Sequence, residues 1–171
     1  MGNYAKINPV DFANGVGARV SIFFSGCTHH CKGCFNSELW DFNYGVPFTQ
    51  KTIDTIIELM KPDYIKGLSI LGGEPFQNVK AVKELVLKVK SVYPNKDIWI
   101  WTGHKMEEFV GWSTYCLYEK PILDNIDALV DGRYEEDKRD LTLKWRGSNN
   151  QRIWRKVNEK WGSLNEDDDN S

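Results

Sequence analysis

The sequence has no strong charge bias and no long apolar run. Its 22 basic and 24 acidic residues give a formal net charge of −2, whereas proteins that coat nucleic acids or membrane surfaces usually carry a basic excess. No apolar run approaches the roughly 20 residues that span a bilayer. The N-terminal MGNYAKINPV also lacks the apolar centre of a signal peptide. We therefore expect a cytoplasmic protein that has neither a nucleic-acid nor a membrane partner.

Cysteine is scarce and unevenly placed. With 171 residues, of which 41% are hydrophobic, the chain can bury a core without disulfide bonds. Three of its four cysteines, Cys27, Cys31 and Cys34, lie within SGCTHHCKGCFN, and Cys116 is isolated. An isolated cysteine is usually a buried or incidental thiol. The cluster therefore indicates a metal site and not a disulfide framework.

The chain shows no internal repeat and no linker. We predict one domain over residues 1–161 and an acidic, disordered tail over 162–171. Apolar and amphipathic patterns predict strands at 19–26, 66–73, 97–103 and 125–134, and helices at 48–61, 78–93 and briefly after the third strand. This alternation implies parallel β/α units. Four strands are too few for a closed eight-stranded barrel, so the predicted α/β fold is an open partial (β/α) barrel or curved parallel sheet.

Unusual residues follow each predicted strand at its C-terminal end. The cysteine loop comes after the first strand, 72–75 (GGEP) after the second, 102–104 (TGH) after the third, and 131–134 (DGRY) within the end of the fourth. In parallel β/α folds this edge carries the active site. The four segments therefore predict one common site.

Two kinds of metal centre suit the cysteine loop. A structural zinc ion would take the three thiolates and His29 or His30, but no second ligand pair of the usual spacing follows. A cubane iron–sulfur cluster held by three thiolates leaves one iron open to a substrate or cofactor. We favour the cluster, and the two histidines are then expected to face solvent.

CTHHCKGCF, followed by LGGEP on the next strand, resembles the signature of the radical S-adenosylmethionine enzymes. The resemblance implies an open barrel of that type and a [4Fe-4S] cluster ligated by Cys27, Cys31 and Cys34, whose open iron binds S-adenosylmethionine. The residues implied to contact that cofactor are Gly33, Cys34, Phe35, Gly72, Gly73 and Glu74. Glycine allows a close backbone approach, and a carboxylate suits the ammonium group of the methionyl end. No catalytic residue is implied beyond these ligands.

Further stretches narrow the resemblance. DFANGVGARVSIFFSGC, DIWIWTGHK, DALVDGRYEED and KWRGSNNQRIW resemble the activating proteins of the anaerobic ribonucleoside-triphosphate reductase, apart from His104, where these often have tyrosine. The resemblance implies that flavodoxin or a similar reductant supplies an electron, that S-adenosylmethionine is cleaved to methionine and a 5′-deoxyadenosyl radical, and that the radical takes hydrogen from a glycine of the large reductase subunit. A homodimer within a heterotetramer is the candidate assembly.

Three other interpretations stay open at this point. The partner could be another glycyl-radical enzyme, such as a formate-lyase-like protein, or the chain could be a zinc-binding interaction module. Asp131 is either a turn former or a neighbour of the cofactor. The basic, aromatic segment 144–156 is expected to be a solvated face or a docking surface for the reductase, because the chain as a whole is acidic.

Overall fold

The computed structural model describes residues 1–110 and 119–163. They form one mixed eight-stranded sheet with the order β3-β1-β2-β4-β5-β6-β7-β8. The strands are β1 (Asn3–Asp11), β2 (Ala18–Phe24), β3 (Val46–Pro47), β4 (Ile65–Gly72), β5 (Asp97–Trp101), β6 (Ala128–Asp131), β7 (Arg152–Val157) and β8 (Lys160–Ser163). Residues 162–163, assigned to the tail from sequence, thus belong to β8. The predictions for Cys116 and for the rest of the tail lie outside the described residues.

The centre of the sheet consists of the four predicted strands. β2, β4, β5 and β6 run parallel, with pairs such as Ile22 with Ile70 and Ile100 with Leu129 in register. Most residues of these strands are buried on both faces, as is typical of parallel sheets. The prediction of a parallel β/α core is therefore confirmed.

Four further strands were missing from the prediction of a purely parallel sheet. β1 and β3 add to one side of the centre and β7 and β8 to the other, all in antiparallel pairings. Within the described residues, β3 and β8 end the sheet and it does not close into a barrel. The fold is therefore a mixed α/β fold with an open sheet.

Helices cover one face of the sheet. They are α1 (Gln50–Leu59), α2 (Val79–Val92), α3 (Met106–Val110) and α4 (Lys120–Asn125); α4 was not predicted. The Thr49 N–H donates to Thr52 Oγ1 at 3.0 Å, which supports Thr49 as the cap of α1. α2 buries Val82, Val86 and Val89 against the sheet, as its apolar stripe predicts. None of the described helices combines the length and apolar character required to traverse a bilayer.

The loop between β1 and β2 lies against the other face of the sheet. The buried Arg19 forms an ion pair with Asp97 (2.6 Å) and donates from Nε to Ser69 Oγ (2.7 Å). Ser69 Oγ in turn donates to the Asn14 carbonyl at 2.6 Å, and Asp11 accepts from Asn14 Nδ2 at 2.7 Å. These bonds fix the loop so that Asn14 contributes to the wall of the cavity described next.

Candidate metal and cofactor site

A cavity of about 400 Å³ opens at the C-terminal ends of the central strands. Six of the residues predicted for the site line it: Cys27, Cys31, Cys34, Phe35, Gly72 and Gly73. The loops after β5 and β6 and the segment before β7 complete its wall. The structure therefore brings together the segments that the sequence placed at one edge of the sheet.

Backbone hydrogen bonds, within the cysteine loop and to the residues that follow it, fix its shape. Gly26, with φ of +103°, donates its N–H to the Leu39 carbonyl at 2.8 Å, and Cys27 donates to the Trp40 carbonyl at 3.3 Å. The Cys34 N–H closes a turn onto the Cys31 carbonyl at 3.1 Å. All three cysteines are free thiols. The loop is thus shaped without a disulfide, and its sulfur atoms are available to a ligand.

The thiols influence one another electrostatically. Burial raises the pKa of Cys27, and the neighbouring Glu74 and Cys31 raise it further, against hydrogen bonds from the backbone of His29 and His30. Burial likewise raises the pKa of Cys31, and nearby Cys34 adds to the effect. A cation bound among three neighbouring cysteines favours their thiolate forms. Soft thiolate donors of this kind suit an iron–sulfur cluster or zinc, so the residues fit the predicted cluster.

Gly72 and Gly73 let the end of β4 dock on the cysteine loop. Gly72 has φ of +147°, and a Cβ there would lie 2.2 Å from the Phe24 carbonyl oxygen. A Cβ on Gly73 would lie 2.6 Å from the carbonyl oxygen of Gly26. The chain then continues with a bond from the Glu74 N–H to the same Gly26 carbonyl at 2.8 Å. The glycines are therefore required for this close backbone approach, and both face the cavity.

Glu74 is fully buried below the cavity and does not line it. One carboxylate oxygen, Oε1, accepts from Thr102 Oγ1 at 2.8 Å and from the Gly103 N–H at 2.7 Å. The other, Oε2, accepts from the Phe76 N–H at 2.9 Å. Glu74 thereby joins the loop after β4 to the loop after β5. Its predicted contact with the methionyl end of a cofactor stays a prediction.

The expectation that both loop histidines face solvent is wrong for His29. Its side chain is only 6% exposed, and Nε2 lies 3.0 Å from Glu74 Oε1. The buried carboxylate requires hydrogen-bond partners, and the imidazole supplies one. His30 is exposed, as expected, and its ring stacks on Trp40 with centroids 4.5 Å apart. The pattern HH gave no signal that distinguished the two residues.

The segment RGSNNQR forms one wall of the cavity. Gln151 Oε1 accepts from the Gly147 and Ser148 N–H groups at 2.9 and 3.1 Å, and its Nε2 donates to the Gly132 carbonyl at 3.0 Å. Gly147 leaves room for the ring of Phe35, since a Cβ there would lie 2.9 Å from it. Sequence reasoning did not single out Gln151, although the unusual density of polar residues in RGSNNQR was a signal. Asp131 is buried, pairs with Arg152 and does not line the cavity.

Comparisons with known proteins identify the family of the chain. Residues 13–154 match the family described as a 4Fe-4S single cluster domain. The chain is 39% identical over 161 residues to a protein of Enterobacteria phage T4 named anaerobic ribonucleoside-triphosphate reductase-activating protein, covering 93% of this chain and 97% of that protein. Proteins of the same name from Escherichia coli (strain K12) and Vibrio cholerae are 42% and 43% identical, over 87% and 90% of this chain and 96% and 97% of their own lengths.

Proposed function

The chain belongs to the 4Fe-4S single cluster domain family and to the anaerobic ribonucleoside-triphosphate reductase-activating proteins, and from this premise we propose that it activates such a reductase by radical S-adenosylmethionine chemistry. The observation that carries the proposal is the convergence of three free thiols and a glycine-rich strand end on one cavity. The open sheet is consistent with a partial barrel of the radical S-adenosylmethionine type.

In this proposal Cys27, Cys31 and Cys34 hold a [4Fe-4S] cluster and leave one iron without a protein ligand. When bound there, the cluster supplies the electron for reductive cleavage of S-adenosylmethionine, chemistry that belongs to the cofactors. The chain's own residues bind the cluster and S-adenosylmethionine and orient them. The glycines of the β4 end admit the methionyl part, and Glu74 holds the surrounding loops together from below.

Aromatic side chains give the cavity a second, less polar side. The rings of Phe35 and Tyr134 lie 5.0 Å apart, and Arg139 lies over the Phe35 ring at 5.2 Å. Phe35 is 54% exposed. We assign this side, with Cys34, to the adenosine part, because a flat aromatic base packs well on such rings. Gly33 does not line the cavity, and its contact with the cofactor stays a prediction. A bound base would also shield the reacting atoms from water.

The proposed partner is the large subunit of an anaerobic ribonucleoside-triphosphate reductase, whose glycine would lose a hydrogen atom and become the radical. Flavodoxin or a similar one-electron donor is the proposed reductant, and the cytoplasm is the proposed location. A homodimer within a heterotetramer is the proposed assembly. The similarity of most of the chain to the named activating proteins supports the choice of this partner.

The first experiment tests the cofactor chemistry. Protein reconstituted with iron and sulfide without oxygen is reduced, mixed with S-adenosylmethionine and assayed for methionine and 5′-deoxyadenosine. We expect cleavage by the wild type and by a Cys116→Ala control, and none by Cys31→Ala. A colourless protein that binds stoichiometric zinc in place of iron would instead support the zinc-binding module.

The second experiment tests the partner. The reduced protein and S-adenosylmethionine are mixed separately with a purified anaerobic reductase subunit and with a formate-lyase-like enzyme, and glycyl radical is measured by electron paramagnetic resonance. We expect the radical only in the reductase. A radical only in the formate-lyase-like enzyme would overturn the assignment of the partner and leave the cofactor chemistry intact.

A further inference from the structure

We propose that His29, Glu74 and His104 form a second metal site, separate from the cysteine ligands, that takes one divalent transition-metal ion. Each of the three side chains offers one ligand atom, and these atoms all lie within 4.8 Å of one another. The site joins three loops, those that follow β2, β4 and β5. The proposed cluster chemistry does not require this ion, and Glu74 is also the residue predicted to contact the methionyl end of S-adenosylmethionine.

The backbone brings the two histidines together from different strands. The rings of His29 and His104 lie 4.9 Å apart in an edge-to-face arrangement. Gly103 permits this approach, since a Cβ there would lie 2.7 Å from the His29 ring. Two hydrogen bonds hold the His104 backbone. Its N–H donates to Thr102 Oγ1 at 3.1 Å, and its carbonyl accepts from the Gly132 N–H at 2.8 Å.

The charge balance around Glu74 favours a bound cation. Its side chain is fully buried, and those of His29 and His104 are only 6% and 15% exposed. Apart from His29, the donors that the structure gives to the Glu74 carboxylate are neutral: the Thr102 hydroxyl and the N–H groups of Phe76 and Gly103. A buried carboxylate is stabilised by a paired or coordinated cation. Two imidazole nitrogens and one carboxylate oxygen together supply donor atoms that a divalent transition metal takes.

The donor set selects the class of ion. Two histidines and one carboxylate are typical ligands of non-haem iron(II) and of zinc. Metal–ligand bonds of about 2.0–2.2 Å place adjacent ligands about 3 Å apart, which is the separation of His29 Nε2 from Glu74 Oε1 (3.0 Å). His104 must move inward by up to about 2 Å to complete the triad. Glu108 Oε1, 3.7 Å from His104 Nδ1, is in position to orient the ring, as outer-shell carboxylates do in metal sites.

The triad lies at the wall of the cavity. His29 and Gly103 line the cavity wall, whereas Glu74 lies beneath it. Among the three ligands His29 alone lines the cavity, so an ion held by the triad would lie at the cavity wall beside His29. The triad shares no ligand with the cysteine cluster, but its His29 lies in the cysteine loop, two residues from both Cys27 and Cys31.

Iron counting tests the proposal on the complete protein. The wild type is reconstituted with ⁵⁷Fe and sulfide, washed with chelator, and its iron and acid-labile sulfide are measured. We expect about five irons for four sulfides, the fifth giving a separate high-spin iron(II) doublet in the Mössbauer spectrum. His104→Phe keeps an aromatic ring next to Phe109, whose centroid lies 5.8 Å from that of His104, and should give about four irons for four sulfides. His30→Phe, a matched control in the cysteine loop, should retain the fifth iron.

Zinc binding tests the same site without the cluster. In a variant with Cys27, Cys31 and Cys34 replaced by alanine, zinc measured by titration calorimetry should bind at one site per chain. Adding His104→Phe should weaken this binding at least tenfold. If His104→Phe fails to assemble the cluster, the zinc titration decides. If the variant without the three cysteines fails to fold, the iron count decides. Equal iron counts and equal zinc affinities with and without His104 would overturn the proposal.

Discussion

Arg152 Nη2 lies 2.6 Å from Asp131 Oδ2 and so joins β7 to the C-terminal end of β6. The same guanidinium donates two bonds of 2.7 Å to Glu107 in α3. Asp131 Oδ2 also accepts from the Met106 N–H at 2.8 Å, at the start of α3. Arg152 is thus the centre of a network that positions α3 directly after the loop carrying Thr102 and His104.

Replacing Arg152 by alanine should destabilise the protein by about 3 kcal/mol, because it leaves the buried Asp131 carboxylate without its cation. The expected change is measured as the free energy of unfolding in urea, on cluster-free protein under reducing conditions. Lys138→Ala is the control, since Lys138 pairs with Glu135 at the surface and should change stability by less than about 1 kcal/mol. Equal effects of the two substitutions would show that the Arg152 network contributes no more than a surface pair.

The pH dependence of Glu107 follows from the same contact. The Arg152 guanidinium, hydrogen-bonded to Glu107, lowers the pKa of its carboxyl from 4.5 to about 2. A lowered pKa stabilises the folded state at pH above 4.5, and this contribution is lost as the pH falls from there to about 2. Carboxyl carbon shifts in an NMR titration should therefore place the Glu107 midpoint near pH 2, and Arg152→Ala should return it toward the ordinary value. A wild-type midpoint that is already ordinary would contradict the contact.

The sequence predicted the parallel centre of the sheet because each of its strands is an apolar run. The outer strands gave weaker signals. β1 (NYAKINPVD) contains a proline and is only partly buried, and β7 (RIWRKV) is basic enough to suggest a docking surface. The turn between β7 and β8 is Asn158-Glu159, in which both residues have positive φ. This is the conformation of a tight hairpin. The usual sequence signal for such a hairpin is glycine at the second position of the turn, and because this chain has glutamate there, the hairpin was not predicted.

The site could also be predicted only in part, because some of its features follow from the order of the strands and others from contacts between distant loops. Convergence of the cysteine loop and the glycine pair could be predicted, because parallel strands place their C-terminal ends at one edge. Burial of Glu74 and His29 could not, because it depends on hydrogen bonds between loops that are 28 and 45 residues apart in sequence. The sequence shows which residue types reach the edge, whereas packing decides which of them face the cavity.

Gly72→Ala should be strongly destabilising. The substitution places a Cβ 2.2 Å from the Phe24 carbonyl oxygen at a φ of +147°, so the ends of β2 and β4 must move apart. We expect a loss of about 3 kcal/mol or more and a lower yield of iron–sulfur cluster per chain after reconstitution. Gly162→Ala is the matched control, because its Cβ would meet nothing closer than 4.0 Å. A Gly72 variant as stable as the Gly162 variant would refute the close approach.

Glu74→Gln tests whether the carboxylate itself holds the loops together. Thr102 and the N–H groups of Phe76 and Gly103 all donate to Glu74, and an ionised carboxylate accepts at both oxygens. A glutamine side chain has the same shape, but its NH₂ group must face at least one of these donors. One buried N–H or hydroxyl then loses its partner, which costs about 2 kcal/mol.

This cost should appear in urea unfolding of the cluster-free protein, with the exposed Glu58→Gln in α1 as a control that changes stability by less than about 0.5 kcal/mol. Amide hydrogen exchange provides a local measurement. The Gly103 and Phe76 amides should exchange faster in Glu74→Gln, whereas amides in the centre of β5 should show only the change expected from the loss of overall stability. Unchanged exchange at both amides would mean that the loops keep their places without the carboxylate, and that its burial serves the bound cation alone.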